Sequence, residues 1–128
     1  METKFNFKSS PCTSIEQSER LLALGLKNET ADMVHEPHYV NGLLRGYFKP
    51  KILEERVLEY MLTDEEFYDY IPAWGLHRLI EMCPPNMRGY MCKNIFDEKY
   101  AIDEQFDELI ATIGYYIKEG YFNKEYLV

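Results

Sequence analysis

The chain has 128 residues, of which 46% are hydrophobic, 15% aromatic and 28% charged, with a net charge of −8. That length suits one domain, the aromatic content excludes a disordered chain, and the negative charge disfavours sequence-independent binding to duplex DNA or anionic membrane. No apolar run approaches the roughly 18 residues of a membrane span, the amino end lacks the apolar core of a secretory signal, and the three cysteines make no Cys-x-x-Cys pair. The expectation is a cytoplasmic protein without a disulfide framework.

Residues 4–8 alternate polar and apolar and read as a short edge strand. Thr13 or Ser14, with Glu16 or Gln17 three residues later, forms a capping box that starts a helix over about 14–24. Gly25 ends that helix, with Leu26 folding back on Leu21. Residues 31–35 read either as one helical turn or as a short strand, and Gly42 and Gly46 make Leu43-Leu44 a poor start for any long element. Pro50 suits the first turn of a helix carrying Leu53, Val57, Tyr60 and Met61, and Thr63-Asp64-Glu65-Glu66 restarts a short acidic helix. Ile71-Pro72-Ala73-Trp74 opens a further helix through Leu76, Leu79, Ile80 and Cys83, closed by Pro84-Pro85. Residues 88–96 lack a helical period and leave room for one or two short strands. The final helix carries Ile102, Phe106, Leu109, Ile110, Ile113 and Ile117 on one stripe, with Gly120 as its cap and Tyr121 meeting Tyr116. Gly114 inside it calls for a close neighbouring backbone. The fold expected is α+β, a predominantly α-helical single domain over residues 1–128 with at most a small β-sheet.

Cys12-Thr13-Ser14-Ile15-Glu16-Gln17-Ser18 running into Leu21-Leu22-Ala23-Leu24-Gly25, then Thr30-Ala31-Asp32-Met33, resembles the start of small proteins from phages and mobile elements of gut anaerobes. Ile71-Pro72-Ala73-Trp74-Gly75-Leu76 with Leu79-Ile80-Glu81, and the closing Ile117-Lys118-Glu119-Gly120-Tyr121, fit the same pattern. The resemblance covers about half of the chain and leaves out residues 36–66 and 84–100. It implies a genetic setting and a fold, and no chemistry.

Enzyme chemistry finds little purchase. Asp32, His35 and His38 form the densest group of potential metal ligands, but their spacing matches no zinc pattern, and polar loop residues give the same cluster. Cys12, Cys83 or Cys92 could meet His35, His38 or His77 in space, although Cys83 falls on the apolar face of its helix, where an inert thiol is the ordinary outcome. Phosphate-cradling glycine loops and Gly-x-Ser-x-Gly elbows do not occur. The expectation is therefore no enzyme, no cofactor and no metal.

Charge carries the functional reading. Residues 1–53 hold seven Lys/Arg against six Asp/Glu, whereas residues 54–128 hold seven against sixteen, a net of −9. Tyrosines and phenylalanines interleave with these acids, which suits a rim of carboxylates around large contact side chains. The expected function is an acidic protein-interaction module that meets a basic host surface, in the phage setting an anti-defence inhibitor occupying the nucleic-acid channel of a nuclease. Its contact residues are expected at Glu65, Glu66, Tyr68, Asp69 and Tyr70, with Asp103 and Asp107. Arg45, Lys49, Lys51 and Arg56, interleaved with Tyr47 and Phe48, make a small basic patch, too slight a footprint for direct nucleic-acid binding on so acidic a chain. Two alternatives stand beside this: a homo-oligomeric accessory protein, down to a simple homodimer, and a metal-binding protein using Asp32, His35 and His38.

Overall fold

Ser14 begins helix α1 (Ile15–Ala23) in the computed structural model, which describes residues 10–63, 69–95 and 102–128, the side chains of residues 62, 63, 92, 102 and 103 excepted. The Ser14 hydroxyl accepts the Gln17 N–H at 3.1 Å and the Gln17 side-chain oxygen accepts the Ser14 N–H at 2.9 Å, the reciprocal capping box expected there. Gly25 closes the helix with φ of 102°, a conformation that costs little only without a Cβ. The Leu26 N–H then reaches the Leu21 carbonyl at 3.3 Å, and both leucines are buried.

After a 3₁₀ turn (Asn28–Thr30) come five short strands: β1 (Met33–His35), β2 (Pro37–Val40), β3 (Leu43–Tyr47), β4 (Lys51–Ile52) and, after helix α2 (Glu55–Thr63), β5 (Ile71–Ala73). Strand β1 lies between β4 and β5 in an antiparallel sheet, pairing Met33 with both Ile52 and Ala73. Of the two readings of residues 31–35, the strand is correct. Among the described residues strands β2 and β3 pair only with each other, as a separate hairpin.

Helices α3 (Leu76–Met82), α4 (Pro85–Asn94) and α5 (Ile102–Lys118) complete the described chain, with a 3₁₀ turn at Lys124–Tyr126. Trp74, Leu21, Leu79, Met87, Met91, Leu109 and Ile113 meet in one core, every one of them nearly or fully excluded from solvent. Each such side chain contributes about 1.5–3 kcal/mol by leaving water. The α5 stripe of Phe106, Leu109, Ile110 and Ile113 is buried as its spacing requires. The Tyr121 N–H bonds the Tyr116 carbonyl at 2.9 Å beyond Gly120, and the two rings meet edge to face at 6.2 Å.

Several expectations are corrected. The chain is α+β, but its described residues form five strands in two sheets beside five α-helices, so it is not a predominantly α-helical domain with at most a small β-sheet. Ile71-Pro72-Ala73 is strand rather than helix, because β1 offers it an edge; Pro72, on that outer strand, breaks no interior ladder. Pro50 starts no helix: Lys51-Ile52 pair with β1 first, and α2 begins at Glu55. Pro84-Pro85 opens α4 instead of only closing α3, and residues 88–94 are helical. Met87, Met91 and Ile95 bury that helix at i, i+4 and i+8. A Cβ on Gly114 would lie 3.3 Å from the Leu24 side chain, so what packs there is a side chain of the α1 C-cap and not a backbone. The edge strand expected at 4–8 and residues 64–68 of the expected acidic helix lie outside the described residues; Thr63 ends α2 instead of restarting a helix, and Tyr70 is not helical.

Candidate functional site

Thr13 joins the α1 entrance to the sheet. Its N–H bonds the Trp74 carbonyl at 2.9 Å and its hydroxyl accepts the Trp74 N–H at 3.1 Å, lying 2.7 Å from the Ser18 hydroxyl. The His35 ring donates through Nε2 to the Thr13 carbonyl at 2.9 Å, a carbonyl being an acceptor only. The Trp74 indole N–H donates to the Thr30 hydroxyl at 3.0 Å, which donates to the Lys27 carbonyl at 2.7 Å. Asp32 Oδ1 accepts the Gly75 N–H at 2.8 Å. Gly75 has room for no more: a Cβ there would stand 3.1 Å from Asp32 Oδ2 and 3.4 Å from the Pro11 carbonyl. Among the described residues every buried side-chain nitrogen and oxygen has a partner. These groups are committed to holding α1, β1 and the β5–α3 junction together, which is a structural use of polar chemistry.

The same contacts separate the proposed metal ligands. Asp32 serves Gly75, His35 serves Thr13, and His38 sits on the hairpin with its ring 4.8 Å from that of Phe48. Among the described residues no three His, Cys, Asp or Glu converge on a cation position. Cys12 and Cys83 are buried. Burial, helped by the neighbouring Asp32 carboxylate, pushes the Cys12 thiol up to about 11, and burial pushes Cys83 up to about 12. Cys83 donates to the Leu79 carbonyl at 3.0 Å. A thiol so raised supplies almost no thiolate near neutrality, and the thiolate is the nucleophile.

Of the expected contact residues, Asp69, Tyr70 and Asp107 have described side chains. Glu65, Glu66 and Tyr68 lie outside the described residues, as does the side chain of Asp103. Asp107 is exposed on α5, where it accepts from Arg20 at 2.9 Å and from Gln17 at 3.1 Å and so ties α5 to α1. Asp69 and Tyr70 lie against the β2–β3 hairpin and the residue before it. Asp69 accepts from the Tyr39 hydroxyl, and this bond, followed by desolvation, pushes the Tyr39 hydroxyl up to about 12. Tyr70 donates to Glu36 at 3.3 Å, and the Lys51 ammonium donates to the other Glu36 oxygen at 2.5 Å, which raises the Lys51 pKa.

The hairpin itself was not anticipated. Val40-Asn41-Gly42-Leu43 turns through two residues at φ 53° and 79°, the positive pair that a two-residue hairpin turn needs and that Asn-Gly supplies most readily. Tyr39 stands opposite Leu44, and Val40 opposite Leu43; between Leu44 and Gly46 the extra residue Arg45 makes a bulge. Successive pairs face opposite sides, yet all four side chains are exposed, from 42% for Tyr39 to 59% for Leu43. Neither face of the hairpin tip is covered by the core. It is an arm, anchored at its base by the Glu36 contacts with Tyr70 and Lys51 and nearer its tip by the bond from Tyr39 to Asp69. The Asn-Gly pair between apolar residues was the signal that could have found it.

The other concavity of note is an open groove of about 430 Å³ on α4 and α5, lined by Tyr90, Ala111, Thr112, Tyr115 and Tyr116. Among the described residues no helix is long and apolar enough to cross a membrane. The chain matches no protein family, no curated protein and no solved structure.

Proposed function

We propose that this chain is a non-enzymatic protein-interaction module of the cytoplasm that presents carboxylates to a basic surface of another protein. The observation that carries the reading is the uneven charge of the chain. Residues 54–128 hold sixteen acidic against seven basic side chains. Glu54 and Glu55 at the start of α2, and Glu104 and Glu119 along and just beyond α5, are exposed. Carboxylates on packed helices keep their spacing without the entropy of a flexible tail, which favours steering and register in a charge-complementary contact. The buried thiols and the fully bonded Thr13–Trp74 network support the non-enzymatic part of the reading. The resemblance to mobile-element proteins gives the partner a class: a host nuclease whose nucleic-acid channel would receive carboxylates where phosphates lie.

The test is capture of partners by the tagged protein from bacterial lysate at about 50 and 300 mM salt, a span over which surface charge is increasingly screened. The expected result is one nucleic-acid-handling protein, lost at the higher salt, whose nuclease activity falls as this protein is added in stoichiometric amount. Recovery of the bait alone, or of a partner held equally at both salts, would contradict the reading.

A further inference from the structure

We propose that the β2–β3 arm docks on a second copy of this chain, the two arms exchanged across a two-fold axis so that each lies against the acidic part of the other. The arm and the loop that follows it, residues 37–50, carry Arg45 and Lys49 and no carboxylate, a charge of +2; the rest of the chain holds twelve Lys/Arg against twenty-two Asp/Glu, or −10. Lys51 answers Glu36, whereas among the described residues neither Arg45 nor Lys49 stands within ion-pair distance of an acid. The chain thus carries both halves of a charge-complementary pair, on parts that a copy, rather than the same molecule, can bring together.

The apolar chemistry agrees. Tyr39 and Leu44 face one side of the tip, Val40 and Leu43 the other, and Phe48 and Ile52 near the base are also exposed, Ile52 to 76%. A two-stranded hairpin is marginal in water on its own, and one apolar on both faces fits a partner that embraces it instead of a flat surface. Six such side chains offer on the order of 500 Å² per arm; with two arms and the surfaces they cover, the buried area enters the roughly 1,200–2,000 Å² range of specific interfaces. A lipid occupant fits less well. Among the described residues strands β2 and β3 pair only with each other, which leaves each an outer edge of backbone groups that hydrocarbon cannot satisfy. The isologous exchange engages both arms equally and closes the assembly at two copies.

Sedimentation equilibrium of the full chain up to ~200 µM tests this, at about 50 and 300 mM salt. Wild type is expected to dimerise, with the dissociation constant rising at least tenfold at the higher salt. The double variant L43S/L44S is expected to be monomeric, with the melting temperature of wild type diluted below its dissociation constant, since both positions are exposed, and R45E to weaken the dimer at least tenfold. A monomeric wild type, or a dimer that neither variant moves, would overturn the proposal. So would a monomer that co-sediments with vesicles of phosphatidylcholine and phosphatidylglycerol through Leu43 and Leu44, which would give the arm to lipid. Because the dimer would cover part of the acidic surface, the capture experiment is also run with the L43S/L44S variant, whose failure to hold a partner bears on the proposed function and not on the dimer.

Discussion

Thr13 is a small residue with a large share in the packing. Its hydroxyl is the acceptor for a buried backbone N–H, that of Trp74, and the neighbour of the Ser18 hydroxyl. T13V keeps the shape and removes the acceptor, leaving Trp74 N–H unpaired in the interior; the expected loss is about 1–3 kcal/mol in urea denaturation, while T13S restores most of it. G75A crowds the same corner against Asp32 and should cost about 1–3 kcal/mol. The buried thiols give a pH prediction. With folded pKa values of about 11 for Cys12 and about 12 for Cys83, both against 9.0 without burial, the thiols are protonated in folded and unfolded chains alike below pH 9 and contribute no slope there. Above pH 9 the unfolded chain ionises first, so stability falls as pH rises, until the folded thiols titrate in turn. In a C92S background, a thiol reagent at pH 8 should label neither Cys12 nor Cys83 in the native protein and both in guanidinium. Rapid native labelling would contradict the buried assignment.

At the scale of elements, the caps and the arm behave as separate devices. Ser14→Ala removes half of a reciprocal capping box and should lower stability by about 1 kcal/mol. Gly42→Val places a branched side chain at positive φ in the arm's turn; it should speed hydrogen exchange of the β2–β3 amides while leaving the thermal transition of the core nearly unmoved, because neither face of the tip is covered by that core. Elements with strong local signals were legible in the sequence: α1 through its capping box, α5 through its apolar stripe, and the two glycine-ended caps. Residues 71–73 were misread because a proline beside an apolar run looks like a helix start, and only the position of β1 makes it an edge strand. Helix α4 was hidden because methionine, not leucine, fills two of its three buried stripe positions. The hairpin was missed by treating Gly42 only as a breaker, when the Asn41-Gly42 pair between Val40 and Leu43 specifies a turn.

At the scale of the whole molecule a basic, apolar-tipped arm stands on an acidic α+β body. Sequence reasoning divided the charge between residues 1–53 and 54–128 but could not see that Asp69 and Tyr70 meet the hairpin and its entry, or that Asp107 is tied to α1, because these contacts join residues distant in sequence. Asp107→Asn should cost less than about 1 kcal/mol, its ion pair with Arg20 being half exposed on both sides. The most direct measurement of the acidic-surface account is competition on the captured complex: duplex DNA is titrated against the partner held by wild-type protein and by a variant with Glu54, Glu55, Glu104 and Glu119 changed to glutamine. The account predicts displacement by DNA, a dissociation constant that climbs steeply with salt, and at least tenfold weaker binding by the glutamine variant. A complex indifferent to DNA and to the loss of those four carboxylates would contradict it.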